Sequence, residues 1–204
     1  MLKRNFLAAA LIGAASLASA QAPQAPASPV VRVRGVIQAA DGGSLTVKAR
    51  SGEVVTLALT DKLAVNEMLP MQLSDIKPGS YIGTAAVPMA DGTLRAVGVT
   101  VFPEAARGRG DGHRPFDLGP ESTMTNGAVA DLVAVPQGRK LQLKYKDGEK
   151  TVIVPPDVQV VTFKPGDRSL LVPGASVSIS AQEINGKPTA LSISAGRDGF
   201  AAPY

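Results

Sequence analysis

The chain contains no cysteine and no tryptophan, a single histidine, and only 4% aromatic residues. Without cysteine there is no disulfide framework, no thiolate nucleophile and no lipid-modified N-terminal Cys. With one histidine, His113, a tight zinc site lacks the second His or Cys it needs. Beyond Phe6, the aromatics are dispersed as Tyr81, Phe102, Phe116, Tyr145, Phe163, Phe200 and Tyr204. That spacing gives neither the stacking platform of a nucleic-acid-binding barrel nor the girdles of an outer-membrane barrel. Phe102 and Phe163 read as core residues.

Long apolar runs are equally scarce. The only one, FLAAALIGAASL (6–17), is too short for a membrane anchor. Lys3 and Arg4 precede it, and Ala18-Ser19-Ala20 supplies small residues at the −3 and −1 positions of a cleavage site. This is the pattern of a signal peptide over 1–20, with cleavage near Ala20 and a destination in the periplasm or outside the cell. Losing Lys3 and Arg4 leaves nineteen basic residues against seventeen acidic ones. Such a balance, with no basic stripe, argues against nucleic acid as a partner. No phosphate-binding G-x-x-x-x-G-K-[ST], dinucleotide-binding G-x-G-x-x-G or G-x-S-x-G elbow occurs in a fitting setting. The expectation is a protein that is not an enzyme and needs no cofactor.

What is present is β-type sequence. Runs such as SLTVKAR (44–50), LRAVGVTVF (94–102), KLQLKYK (140–146), ASVSISA (175–181) and TALSISA (189–195) alternate apolar and polar residues at period two. Asp41-Gly42, Asp91-Gly92, Asp147-Gly148 and Asn185-Gly186 accept positive φ cheaply and mark hairpins. Serines within these runs, Ser176 and Ser178 among them, read as solvent-facing.

The punctuation repeats. Gly52 matches Gly148, Pro78-Gly79 matches Pro173-Gly174, and Asp91-Gly92 matches Asn185-Gly186, at offsets of 96, 95 and 94 residues. Gly35 matches Gly127, with four extra residues absorbed in the next hairpin of the second copy. Landmarks in matching order indicate a duplication. The expected organisation is an Ala/Pro/Gln tether (21–29), a first repeat (30–103), a linker and strap (104–121), a second repeat (122–196) and a loose C-terminal tail (197–204). The fold class is all-β: two tandem five-stranded OB-like small barrels joined by an ordered strap. A short meander sheet packed on its twin is the competing arrangement. Leu73 and Ile76 are expected to point inward from one helical turn that Pro78-Gly79 terminates.

The pattern L-x-D-I-K-P-G at 73–79, ahead of the Asp91-Gly92 hairpin, resembles an exported bacterial domain-of-unknown-function family of OB-like repeats. GHRPFDLGPESTMTN (112–126) is similar to the central segment of its two-copy members, some of which carry the label metal ABC transporter permease. Phe116 stands where that segment has Trp, and Glu121 where it has Gly. The resemblance implies a fold and a compartment and brings no activity. The permease label conflicts with the absence of a spanning hydrophobic run after residue 20.

The central stretch is the candidate binding surface: His113, Arg114, Phe116, Asp117 and Glu121, with Arg107 and Arg109 just before. Phe116, Leu118 and Met124 are apolar anchors that a free linker would not need, so the segment reads as a strap lying on one or both repeats. Arg114 is expected to pair with Asp117 or Glu121, and His113 to bond a backbone carbonyl. The three arginines could instead receive an anion or a protein. A weak metal site from His113, Asp111, Asp117 and Glu121 is the alternative. The function expected is a non-catalytic binding or adaptor module of the cell envelope, not membrane-spanning. Its partner would be an envelope protein or a small anionic ligand, held in the inter-barrel cleft or added to an exposed strand edge.

Overall fold

A computed structural model describes residues 28–204; the expected signal peptide and nearly all of the tether lie outside the described residues. The fold is all-β. The first copy contributes β1 (Val31–Ala40), β2 (Ser44–Ala49), β3 (Val54–Met71), β4 (Tyr81–Pro88) and β5 (Leu94–Val101). The strap holds β6 (Gly112–Pro115). The second copy contributes β7 (Thr123–Val135), β8 (Gly138–Tyr145), β9 (Gly148–Val154), β10 (Val160–Pro165), β11 (Ser176–Ile184) and β12 (Lys187–Gly196). No helix among the described residues is long and apolar enough to cross a membrane.

Alternation decides which face each strand buries. In β2, Leu45 and Val47 are fully buried; in β8, Leu141 and Leu143 are; in β11, Val177, Ile179 and Ala181 point the same way. Each buried Leu or Ile contributes on the order of 2 kcal/mol. Ile76 is buried beyond a 3₁₀ turn at Leu73–Asp75, while Leu73 packs half-buried beside it. The duplication is visible in the backbone. A Cβ on Gly35 would run into the Lys48 carbonyl oxygen, and one on Gly127 into the equivalent oxygen of Lys144. Register shifts also recur: after Ile37 and after Val129, and again between Ala85 and Ala86 and between Ser180 and Ala181. These bulges add the twist that a small closed sheet requires.

The strands β12-β11-β1-β2-β3 form a closed five-stranded barrel, because β12 also pairs in parallel with β3. Its core joins Ile37, Leu45, Val47 and Leu57 of the first copy to Val177, Ile179, Ile193 and Ala195 of the second. The remaining strands run β5-β4-β7-β8-β9, and a two-residue parallel contact, Leu94 with Val152 and Arg95 with Ile153, returns β9 to β5. That half has its own core, where Ile82, Leu94 and Val99 meet Val129, Leu141 and Val152.

The tandem expectation has each copy folding on itself. The pairing instead crosses between copies: β1 pairs with β11 and not with β4, and β4 pairs with β7. β3 stays with the closed barrel for most of its length, pairing with β2 over Val54–Ala58 and with β12 as far as Met68 across a bulge at 60–63, and its end lies along β10. β4 then enters the far half, beside β5 and β7. In the second copy Pro155-Pro156 interrupts the equivalent strand, giving β9 and β10 in place of one. β10 lies antiparallel to the end of β3 and parallel to β5, so the hydrogen-bonded path runs unbroken through both halves.

The strap and tail close the seam. β6 pairs along β7, and Tyr81 donates its hydroxyl to Asp111 at 2.9 Å. The tail expected to be loose is docked: Tyr204 is buried, packs with Ala85 and Met124, and shares a 2.5 Å hydroxyl–hydroxyl hydrogen bond with Thr100. Gly98 permits this, since a Cβ there would strike the Tyr204 ring. Open edges remain on β6, which ends in proline, and on stretches of β1, β7 and β9 that pair on one side only.

Candidate anion-binding cleft

Where the two halves meet there is a cavity of about 360 Å³. One wall is the outer face of the closed barrel. The inner face of β11 and β12 carries Val177, Ile179, Ile193 and Ala195, so the alternate residues Ser178, Ser180, Ser192 and Ser194 face outward into the cavity. Register sets them in two rows. Arg34, Ser178, Ser194 and Asn66 lie side by side across β1, β11, β12 and β3, and Arg32, Ser180 and Ser192 form the neighbouring row. The facing wall brings Thr100 on β5 and Phe102 just after it, Asn126 on β7, and Arg109 and Arg114 from the strap.

The charge is one-sided. Arg32, Arg109 and Arg114 line the cavity and no Asp or Glu side chain does. Burial first and the neighbouring Arg34 second push the Arg32 guanidinium below its ordinary pKa; Asp117 and Tyr204 partly offset this, and Arg114 adds a smaller repulsion. Arg34 is neutralised by Asp117 through two 2.8 Å bonds, yet Arg32 has no ion pair among the described residues. Three guanidiniums in one cleft repel, and a bound anion would relieve that repulsion.

Apolar surface completes the lining. Phe102 and Phe163, expected in the core, are half-buried at the cavity, edge to face with centroids 5.7 Å apart. Phe116 stands edge-on to Tyr204 at 5.7 Å, with the Arg34 guanidinium 5.1 Å from its ring centre and that of Arg32 at 6.0 Å. Asn126 is buried; its amide Nδ2 donates to the Arg109 carbonyl at 2.9 Å, while its Oδ1 has no partner.

The sequence-derived candidates divide. Arg109, Arg114 and Phe116 reach the cavity. Arg114 donates to the Gly110 carbonyl at 2.8 Å and pairs with neither Asp117 nor Glu121. Arg107 does not line the cavity; it caps the strap by bonding Glu104 and the Gly79 carbonyl. His113 also lies off the cavity, 2.8 Å from the Thr125 hydroxyl and stacked on Tyr145, with burial lowering its pKa first and Lys150 second. Its bond is therefore to a side chain and not to a backbone carbonyl. Glu121 is exposed at a turn. Asp111 accepts from Tyr81 and from the Lys146 amide, and Asp117 is committed to Arg34. Three of the four residues considered for metal thus have separate partners and Glu121 is exposed at a turn, and no three metal-ligating side chains cluster among the described residues.

Arg32 and the serine rows were missed by sequence reasoning. Their signal was the repeated Ser-Ile-Ser-Ala of 178–181 and 192–195. Two such strands side by side place all four hydroxyls on one face. No protein family, curated protein or solved structure matches this chain.

Proposed function

We propose that the protein is a non-catalytic binding module of the cell envelope that takes a small anionic ligand in the cleft between its two halves. The observation carrying this reading is the trio Arg32, Arg109 and Arg114 around a cavity that no Asp or Glu side chain lines. Guanidiniums hold carboxylates and phosphates through charge-assisted, often bidentate hydrogen bonds. The lining also has no histidine, so no proton-transferring pair faces a ligand, which favours binding over catalysis. Export follows from the N-terminal pattern of Lys3, Arg4 and the short apolar run. The reading includes the fold: both halves are OB-like units, supported by the matched bulges and the matched glycines Gly35 and Gly127.

The test is calorimetric titration of the full chain with phosphate, acetate, benzoate, glucuronate and glucose 6-phosphate at low salt. At least one anion binds the native protein, and Arg32→Met with Arg114→Met weakens it tenfold or more while the fold is retained. If none of the five binds, or the double variant binds equally well, the proposal is wrong.

A further inference from the structure

We infer that the ligand is a hydroxylated organic anion of sugar size, a sugar acid or sugar phosphate, and not a simple inorganic or aliphatic anion. This rests on the anion-binding reading of the cleft and specifies its occupant. Three observations carry it.

The first is Asn126. Its Oδ1 is a buried acceptor with no donor, and turning the amide over would set an oxygen against the Arg109 carbonyl oxygen. The carbonyl is held beside Gly83, where a Cβ would come within 2.7 Å of Oδ1. A simple carboxylate offers acceptors only and leaves Oδ1 unpaired, whereas a ligand hydroxyl donates to it.

The second is the serine wall. Among the described residues none of Ser178, Ser180, Ser192 or Ser194 makes a side-chain hydrogen bond, and each hydroxyl both donates and accepts. Paired in register beside Arg32, they offer a row of hydroxyl partners next to a positive charge. A carboxylate or phosphoryl head on the guanidiniums would place a polyol body along that row.

The third is the floor. The rings of Phe102 and Phe163 supply apolar surface against which the C–H face of a sugar ring packs while its hydroxyls point at the walls. Charge, hydroxyl partners and an apolar face occur together in one cavity of about 360 Å³, within the usual span for small-molecule sites.

The experiment compares glucuronate and glucose 6-phosphate with acetate, phosphate and neutral glucose on the full chain by calorimetry. One of the two hydroxylated anions binds at least tenfold more tightly than the bare anion sharing its head group and than glucose. The tighter of the two assigns the head as carboxylate or phosphoryl. In Ser180→Ala/Ser192→Ala this advantage, read as the ratio of hydroxylated to bare anion affinity, falls several-fold. Asn126→Leu does the same if it folds, and the serine variant decides the matter if it does not. Equal affinity for bare and hydroxylated anions overturns this inference and leaves the anion site standing. Failure of every anion to bind overturns both.

Discussion

Arg34 on β1 and Asp117 in the strap, 83 residues apart in sequence, meet through two 2.8 Å bonds. The guanidinium presents its forked N–H groups to both carboxylate oxygens, and its plane lies near the ring of Phe116. This contact ties the strap, which is paired to β7, onto the closed barrel. It also holds Phe116 at the cleft beside Arg32.

Removing Asp117 should therefore cost more than removing Arg34. The Arg34 side chain is only 9% exposed, so Asp117→Ala strands a largely buried charge, whereas Arg34→Met leaves a carboxylate that is 54% exposed. Urea unfolding should show a loss of about 1–3 kcal/mol for Asp117→Ala and less for Arg34→Met.

The same pair sets an acid limit. The Arg34 hydrogen bonds hold the Asp117 carboxyl below its ordinary value of 3.8. A carboxylate depressed in the folded state contributes fully above its unfolded pKa and loses that contribution as pH falls through the folded one. The stability gap between native protein and Asp117→Asn should be constant above pH 5 and close as the pH is lowered from about 4, followed by thermal unfolding.

Gly35 and Gly127 should respond alike. In each case an added Cβ meets a backbone carbonyl oxygen that cannot move aside without breaking the neighbouring strand pair. Alanine at either position should destabilise by about 1–3 kcal/mol. Unequal effects would show that the two positions are not structural equivalents.

Glu121 occupies a left-handed turn with φ of 61°. Glycine accepts that geometry without the Cβ penalty. Glu121→Gly should raise stability by up to about 1 kcal/mol in urea unfolding, with no effect on ligand affinity.

Much of this architecture was legible from sequence, for reasons that remain local. Strand faces follow from alternation, as in Leu141 and Leu143, and the hairpins follow from Asp-Gly and Asn-Gly pairs. The duplication follows from glycines whose neighbours are backbone atoms. Which copy pairs with which was not legible. β4 and β11 are equivalent strands, and either offers β1 a matching edge, so local sequence does not distinguish the two pairings. The cleft was half legible. Arg109, Arg114 and Phe116 stood out within the strap, but Ser180 and Ser192 look like ordinary outward residues until a second wall is placed opposite them. Arg32 looked like one more strand cation. Tyr204 was read as part of a loose tail because its pocket, opened by Gly98, is built from distant strands.

The central claim is that strands are exchanged between the copies, and the absence of cysteine makes it directly testable. Val36 pairs with Ser176 across the copies, and Cα atoms in such antiparallel pairs are about 4.5–5.5 Å apart, within disulfide reach. Ala128 is the second-copy equivalent of Val36 and pairs with Tyr81, the first-copy equivalent of Ser176. Oxidation of Val36→Cys/Ser176→Cys, read by mass spectrometry of the monomer, should give an intrachain disulfide, and Ala128→Cys/Ser176→Cys should give none. A link in the second variant and not in the first would mean that each copy folds on itself, and would contradict the account.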